Sequence, residues 1–371
     1  MREIEQSSSG SSLSELNETI LATRSGPEPA EFGALREQYP KSTFTWYPIS
    51  GAYVASPQLD ELYKKATILL TLDIVPLPAQ VPLLKLVQLS SAGYDHILGE
   101  QLFKDLDINF ATASGVHGPQ ITEHVFMTLL SLNHHFPLLL SWQRSHNSWH
   151  ESRLPPMQDL VSQRIGILGY GSIGRQVGRV AQGFGMCIHA YTASARHTAD
   201  SKRDTGYIVP GTGDPDGVFP NKWFSGTSRA ELHEFLGSGL DVLVVALPLT
   251  AQTRNLLSTA EFEILSLPRP KTGEGAIVVN ISRGAIIDHD ALLVALKKEK
   301  GGLRGASLDV TEPEPLPEES ELWDLENVVL TPHISGNSTS YAERVVGILA
   351  LNLERIRTGG RFEGFPVNAS V

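Results

Sequence analysis

Arg164-Ile165-Gly166-Ile167-Leu168-Gly169-Tyr170-Gly171-Ser172-Ile173-Gly174 is the stretch whose reading decides the fold. Ile165 to Leu168 make a short strand-like run, three glycines follow as G-x-G-x-x-G, and Ile173–Gly183 reads as an amphipathic helix. A lone glycine fingerprint is weak, because glycines are common in turns; the strand before it and the helix after it give it meaning. Gly169 permits the tight turn, Gly171 lets backbone approach a pyrophosphate, and Gly174 lets helix and strand pack closely. Ser172 and Ile173 open the helix, whose unpaired N–H groups and partial positive charge suit phosphate. A dinucleotide is the ligand this arrangement predicts, against a purely structural turn.

Working outward, strand-like runs recur downstream at Met186–Tyr191, Val242–Leu247, Ala276–Ile281, Ala306–Val310 and Val328–Leu330. Upstream they recur at Thr43–Tyr47, Ala66–Leu72, Leu86–Leu89 and Ile108–Ala111, separated by helix-like Pro57–Lys65 and Ile97–Lys104. Such alternation predicts parallel α/β sheets. A long helix is expected from Pro119 to about Trp142, with proline near its first turn. The last helix, Tyr341–Thr358, follows the second series and can return to pack on the first. The expected architecture is therefore two doubly wound parallel-sheet domains. One is a Rossmann cofactor domain over 117–335; the other is a discontinuous, flavodoxin-like substrate domain over 1–116 and 336–371. One stretch breaks the rhythm: 197–229 is rich in Gly, Pro, Asp and Thr, and reads as a surface insertion.

Composition narrows the function classes. The 371 residues are 41% hydrophobic and 19% charged, with a formal net charge of −11. That length suggests two cores. The acidic balance argues against nucleic acid as the main partner, since a phosphate backbone needs a basic surface. The single cysteine, Cys187, permits no internal disulfide and lies in an apolar pattern, so it reads as a structural thiol. The first twenty residues, rich in Ser and Glu, read as a frayed leader rather than a targeting peptide. The longest apolar stretch, Val125–Leu140, is interrupted by Asn133-His134-His135 and Pro137 and is too short to span a bilayer. A cytoplasmic protein with no membrane partner is the expectation.

The end of the next strand bears on which dinucleotide binds. A carboxylate about 20 residues past the fingerprint normally takes the adenosine ribose hydroxyls. Here the sequence reads Ala190-Tyr191-Thr192-Ala193-Ser194-Ala195-Arg196-His197. Hydroxyls at Thr192 and Ser194, with a cation at Arg196, suit a 2′-phosphate better than a free hydroxyl. NADP(H) is favoured and NAD(H) is possible; a solvated loop arginine is the plain alternative for Arg196.

Three polar signals follow at successive strand ends, where open α/β sheets place their ligands. They are Asn280-Ile281-Ser282-Arg283-Gly284, Leu308-Asp309-Val310-Thr311-Glu312-Pro313-Glu314-Pro315-Leu316, and Leu330-Thr331-Pro332-His333-Ile334-Ser335-Gly336. Singly, each has a plain explanation as a surface arginine, an acidic loop and a structural histidine. In this order behind a dinucleotide fingerprint they resemble the D-2-hydroxyacid dehydrogenase family, in its glyoxylate/hydroxypyruvate reductase-like branch. The resemblance covers nearly the whole chain, strongest over Ser90–His124 and Arg164–Gly336 and weak over the first 40 residues.

That resemblance implies roles. His333 is the acid that protonates a carbonyl oxygen, and the base in reverse; Glu312 hydrogen-bonds the imidazole and fixes it. Arg283 binds the substrate carboxylate and carbonyl oxygen. Asp309 faces the nicotinamide carboxamide. Leu247 and Pro248 lie along the cofactor, Thr253 matches the threonine that follows, and Ile281 and Ser282 adjoin the cofactor beside Arg283. In the first domain Leu89-Ser90-Ser91-Ala92-Gly93-Tyr94-Asp95 resembles the family turn whose N–H groups receive the substrate carboxylate. Ser91, Ala92, Gly93 and Tyr94 are thus expected at the substrate, although Tyr94 replaces the usual valine. Gly115–His124 resembles the segment that opens the domain-joining helix, with His117 and Gln120 departing from the common version. A homodimer is implied, and Trp149 or His150 can then reach a neighbouring site; packing is an equal alternative.

The resemblance thus predicts a reductase of 2-keto acids giving (R)-2-hydroxy acids, with a closable cleft between its domains. No metal is expected. A corepressor-like, dinucleotide-sensing interaction protein of the same fold is the alternative, since fold alone does not fix function; the missing ribose carboxylate counts against it. A formate-using relative is a third reading, against which Glu312 stands, because glutamine takes that place in the formate branch.

Overall fold

The computed structural model describes residues 15–49, 56–104, 107–145, 151–269, 273–298 and 300–360. The chain divides into two compact units, residues 1–114 with 340–371 and residues 115–339. The seams drawn from sequence, at 116/117 and 335/336, differ from these by a few residues.

In the first unit, β1 (Thr19–Arg24), α1 (Ala30–Gln38), β2 (Thr43–Pro48), α2 (Pro57–Tyr63), β3 (Ile68–Thr71), β4 (Leu86–Leu89) and β5 (Asn109–Ala111) follow one another. The strands form a five-stranded sheet in the order β2-β1-β3-β4-β5, all pairs parallel. β1 corrects the leader reading: Thr19 and Ile20 begin an interior strand, with Ile20 opposite Phe44 on one side and Ile68 on the other. Its apolar run is short and follows a polar stretch, so its local signal is weak; pairing to partners far along the chain supplies the burial. The helix expected over Ile97–Lys104 is replaced by two 3-10 turns, Asp95–Ile97 and Leu102–Lys104, with helix-weakening Gly99 between them.

The second unit holds α3 (Gly118–Asn133), α4 (Phe136–Arg144), β6 (Arg164–Leu168), α5 (Ser172–Gly183), β7 (Cys187–Thr192), α6 (Ala199–Lys202) and β8 (Lys222–Ser225). It continues with α7 (Arg229–Leu236), β9 (Val242–Val245), α8 (Thr259–Leu265), β10 (Ile277–Asn280), α9 (His289–Lys297), β11 (Gly305–Leu308) and β12 (Val328–Leu330). Its seven strands run in the order β12-β11-β10-β9-β6-β7-β8, all pairs parallel. β9, β10 and β11 are buried along their whole length. That is why they read as continuous apolar runs rather than alternating ones. The order reverses between β6 and β9, and the carboxyl ends of adjacent strands diverge there to leave a crevice.

Two expectations change in this unit. The single helix from Pro119 to Trp142 is two helices, broken where His135 adopts a left-handed φ of 52°. Pro137 has no N–H to offer the preceding turn, so α3 ends and α4 begins with the proline in its first turn. The 197–229 stretch is not a bare loop. It contains α6 and the edge strand β8, whose Trp223 and Phe224 pair with Ala190 and Tyr191.

The last helix, α10 (Tyr341–Thr358), belongs with the first unit. It buries Val345, Ile348, Leu349 and Leu353, and its Asn352 donates to the buried Gln88 amide oxygen of β4 at 2.6 Å. No helix among the described residues is long and apolar enough to cross a membrane.

Candidate active site

The glycine turn leaves β6 beside the crevice. Gly169 has φ +104°, and a Cβ there would lie 2.5 Å from the Ala246 carbonyl oxygen, so only glycine fits. At Gly174 a Cβ would come within 2.3 Å of the Gly169 carbonyl oxygen, which fixes how closely α5 can approach β6. A Cβ at Gly171 would meet nothing within 4 Å. Open space there, at the N-terminus of α5, is the cradle a pyrophosphate needs, and Ser172 and Ile173 supply the first N–H groups of the helix. The residues present therefore fit a dinucleotide.

At the end of β7, the Thr192 hydroxyl donates to the Ser194 carbonyl at 2.8 Å. Arg196 is half-buried rather than waving in solvent, and its Nη1 donates to the Ser201 carbonyl at 2.6 Å. The arginine is thus held by the insertion at the edge of the sheet.

The other predicted residues line the same carboxyl edge, because every strand of this sheet is parallel. Strands are about 4.8 Å apart, so the end of β10 lies two spacings, and that of β12 four, from the glycine turn. After β9, Leu247 and Pro248 open a turn closed by Thr253, whose hydroxyl donates to the Pro248 carbonyl at 2.8 Å. At the end of β10, Asn280 is completely buried and shapes the turn that carries Arg283. Its amide nitrogen donates to the Arg283 carbonyl at 2.9 Å, and its oxygen accepts from the Ser282 N–H and hydroxyl at 3.1 and 2.8 Å. Ile281 and Ser282 are buried, while Arg283 is half-buried. Gly284 lies against the backbone of Thr311, where a Cβ would sit 2.0 Å from the carbonyl carbon, so the turns after β10 and β11 are in contact.

Asp309 follows β11, and its carboxylate faces the turn that carries His333. Oδ1 accepts from the Thr331 hydroxyl at 2.7 Å and the Ile334 N–H at 2.9 Å; Oδ2 accepts from the Ser335 N–H at 3.0 Å. Burial pushes the Asp309 carboxyl up, but these hydrogen bonds outweigh it and hold the group below its ordinary range. The turn needs such a hold, because His333 has a left-handed φ of 53°, an arrangement that costs a non-glycine residue about 1 kcal/mol. His124 of α3 adds a second anchor. Its Nε2 meets the Thr331 hydroxyl at 3.0 Å, and since that hydroxyl donates to Asp309, the imidazole is the donor. Burial lowers the His124 pKa, against the Asp309 charge that raises it. Nothing in the sequence around Asn280, Thr331 or His124 points to these contacts.

One predicted contact is corrected. The carboxylate on the His333 ring is Glu314, with Oε1 2.7 Å from Nδ1, and not Glu312. Glu312 instead faces His289 at the start of α9; burial lowers that histidine's pKa and Glu312 raises it in part. The two glutamates alternate with prolines in Thr311-Glu312-Pro313-Glu314-Pro315, and spacing alone does not say which returns to the histidine. Both members of the His333–Glu314 pair are accessible, with side chains 45% and 40% exposed, so the ring can reach a bound molecule. An ionised carboxylate only accepts, so Nδ1 carries hydrogen toward Glu314 and Nε2 is the nitrogen left for chemistry.

In the first unit, Ser91, Ala92, Gly93 and Tyr94 form a turn at the end of β4. The Ser91 hydroxyl donates to the Gly93 carbonyl at 2.7 Å, and Tyr94 stacks on Phe103 with ring centres 6.4 Å apart. Ser90, just before the turn, is fixed through its carbonyl by the Tyr341 hydroxyl at 2.8 Å. Trp149 and His150 lie outside the described residues. No group of three or more His, Cys, Asp or Glu among the described residues is arranged to hold a metal.

Comparison with known proteins bears on the same edge. The sequence model for "D-isomer specific 2-hydroxyacid dehydrogenase, NAD binding domain" matches residues 126–210 and 220–335, leaving 211–219 between the matched stretches. A glyoxylate reductase of Pyrococcus furiosus is 31% identical over 292 residues, covering 75% of this chain and 74% of that protein. The crystal structure of a D-isomer specific 2-hydroxyacid dehydrogenase family protein from Aeromonas salmonicida superposes with a TM-score of 0.71 at 27% identity, covering 94% of this chain and 98% of that one. An NADPH-dependent glyoxylate/hydroxypyruvate reductase from Sinorhizobium meliloti, solved with NADP and sulfate, has the same fold. Its TM-score is 0.71 at 24% identity, with 95% of this chain and 99% of that one covered.

Proposed function

The chain belongs to the D-isomer specific 2-hydroxyacid dehydrogenase family, and from that premise we propose that it reduces 2-keto acids to (R)-2-hydroxy acids with NADPH preferred over NADH. It is a nicotinamide-dependent oxidoreductase. The observation that carries the keto-acid reading is the 2.7 Å His333–Glu314 pair, on the same sheet edge as Arg283 and the glycine turn.

When bound, the reduced nicotinamide supplies the hydride for the carbonyl carbon. Every remaining task falls to side chains. His333, protonated at Nε2, gives its proton to the carbonyl oxygen, and Glu314 stabilises the imidazolium before transfer and fixes the ring throughout. Arg283 takes the carboxylate through its planar fork and faces the oxygen that gains negative charge. Asp309, through its three hydrogen bonds to 331–335, keeps His333 in a conformation it would not hold alone. Glu314 also inherits the case against formate: the histidine's partner is still a glutamate, two residues further on.

A panel of glyoxylate, hydroxypyruvate and branched and aromatic 2-keto acids, assayed with NADH and NADPH and resolved by the chirality of every product except achiral glycolate, tests the proposal. Turnover of none of them, or an (S) product, would overturn it.

NADPH preference rests on Arg196 and on the missing carboxylate at Thr192. Arg196→Ala is expected to raise the NADPH Kd by about tenfold or more and leave the NADH Kd within about twofold, since a charge-assisted phosphate contact contributes roughly 1.5–3 kcal/mol. Titrating both dinucleotides checks it, and equal weakening would defeat the phosphate-binding role.

A further inference from the structure

Tyr170 stands between the first two glycines of the turn and is almost wholly buried. Its ring lies over α5 where only Gly178 leaves room, since a Cβ at 178 would come within 2.6 Å of the hydroxyl. Both ends of the residue are fixed. The backbone N–H donates to the Tyr191 carbonyl at 3.1 Å, and the hydroxyl donates to Asp214 Oδ2 at 2.8 Å. Burial, with the Asp214 charge beside it, pushes the hydroxyl well above its ordinary pKa, so it remains a donor.

Asp214 is 1% exposed and belongs to 211–219, the stretch between the two family-matched segments. Its carboxylate closes its own loop, accepting from the Val218 N–H at 2.9 Å and the Phe219 N–H at 3.2 Å. Side chains of α5 grip the backbone around it. Arg175, itself buried, donates to the carbonyls of Asp214 and, at 2.7 Å, Lys202, and its Nε lies 3.4 Å from Asp204. Gln176 accepts from the Gly213 N–H at 2.6 Å, and Arg179 donates to the Gly213 carbonyl at 3.2 Å. Trp223 of β8 meets the Tyr170 ring edge-on, with centres 5.2 Å apart. A buried carboxylate is tolerated only when its oxygens are satisfied, and Asp214 draws its donors from both the insertion and the glycine turn. It therefore couples the two.

We propose that Asp214 is a positioning residue for the dinucleotide, holding the Gly169–Gly174 turn through the Tyr170 hydroxyl, with residues 203–219 as a brace built onto α5. Rotation of Tyr170 would swing the peptide leading to Gly171 and with it the N–H groups that meet the pyrophosphate. A turn already fixed loses less freedom on binding, and so binds more tightly. The brace touches neither the nicotinamide nor the 2′ position in this scheme, so it acts alike on NADPH and NADH. The proposal rests on dinucleotide binding alone, not on the keto-acid or NADPH readings.

The test is calorimetric titration of the full chain with NADPH and with NADH, without keto acid, alongside hydrogen exchange of the 169–176 amides. Tyr170→Phe keeps the ring and removes only the hydroxyl. It should raise both Kd values by the same factor, about five- to tenfold, and speed exchange at Gly171–Gly174 in the dinucleotide-free protein. Asp214→Asn should act in the same direction and further; because it can also unfold the insertion, Tyr170→Phe decides. Wild-type Kd values and exchange in Tyr170→Phe would overturn the proposal, as would weakening of NADPH alone, which would make the insertion a 2′-phosphate element. Failure of the wild-type chain to bind either dinucleotide would refute the cofactor assignment itself and the brace with it.

Discussion

Replacing His333 by alanine is expected to lower kcat by about a thousandfold while the dinucleotide Kd changes by less than about twofold. The asymmetry follows from where the ring stands. His333 follows β12, four strand spacings from the glycine turn, so it adds little to holding the pyrophosphate. Its Nδ1 is committed to Glu314, and under the proposed mechanism what alanine removes is the proton donor at Nε2. A thousandfold loss corresponds to about 4 kcal/mol of barrier, more than loss of one neutral hydrogen bond gives. The two glutamates provide an internal control. Glu314→Gln keeps the shape but withdraws the charge that supports the imidazolium, and should lower kcat by about ten- to a hundredfold; Glu312→Gln, beside His289, should stay within about threefold. Steady-state rates for the three variants, with dinucleotide titrations beside them, check the set. Turnover within tenfold of wild type in His333→Ala would remove the ring from proton transfer.

That glutamate pair marks where sequence stops being informative. The glycine turn and the buried strands were legible because their causes are local: no Cβ fits at 169 or 174, and a parallel strand covered on both faces must be apolar throughout. β1 was illegible for the opposite reason. Its three fully buried residues, Ile20, Leu21 and Ala22, gain that burial from β2 and β3, whose pairing the first thirty residues do not announce. The break between α3 and α4 was half-visible: Pro137 is in plain view, but the left-handed turn at His135 is a solution found only in three dimensions. The insertion hid its content most fully. Asp214 looks like one more loop aspartate, and nothing near it in sequence says that Tyr170 and the helix bearing Arg175 will close over it. At the candidate site, residue types were readable and partnerships were not. Arg283, Asp309 and His333 announce themselves by standing at strand ends, whereas Glu314, Thr331, His124 and Asn280 matter through contacts set by how the turns fold back.

Arg283 allows the second large effect to be separated from the first. Arg283→Lys keeps a positive charge at the end of β10 but loses the planar fork that donates two hydrogen bonds to a carboxylate. Asn280 binds the Arg283 carbonyl and not its side chain, so the turn should survive the change. The expected result is a fall in kcat/KM for keto acids of about a hundred- to a thousandfold, the size of losing one preorganised donor to a developing oxyanion. The loss should divide between KM, through the carboxylate, and kcat, through the carbonyl oxygen. Keto amides corresponding to the best keto acids discriminate the two contacts. They lack the carboxylate, so the portion of the loss that belongs to it should vanish and the kcat portion should persist. A lysine variant equally impaired on both substrate classes would place Arg283 on the carbonyl oxygen alone; one unimpaired on both would take it out of the site. Under the proposed mechanism His333→Ala should show no such substrate dependence, because the proton goes to the carbonyl oxygen whatever stands next to it. That difference in pattern, more than the size of either effect, distinguishes a residue that binds the keto acid from one that protonates it.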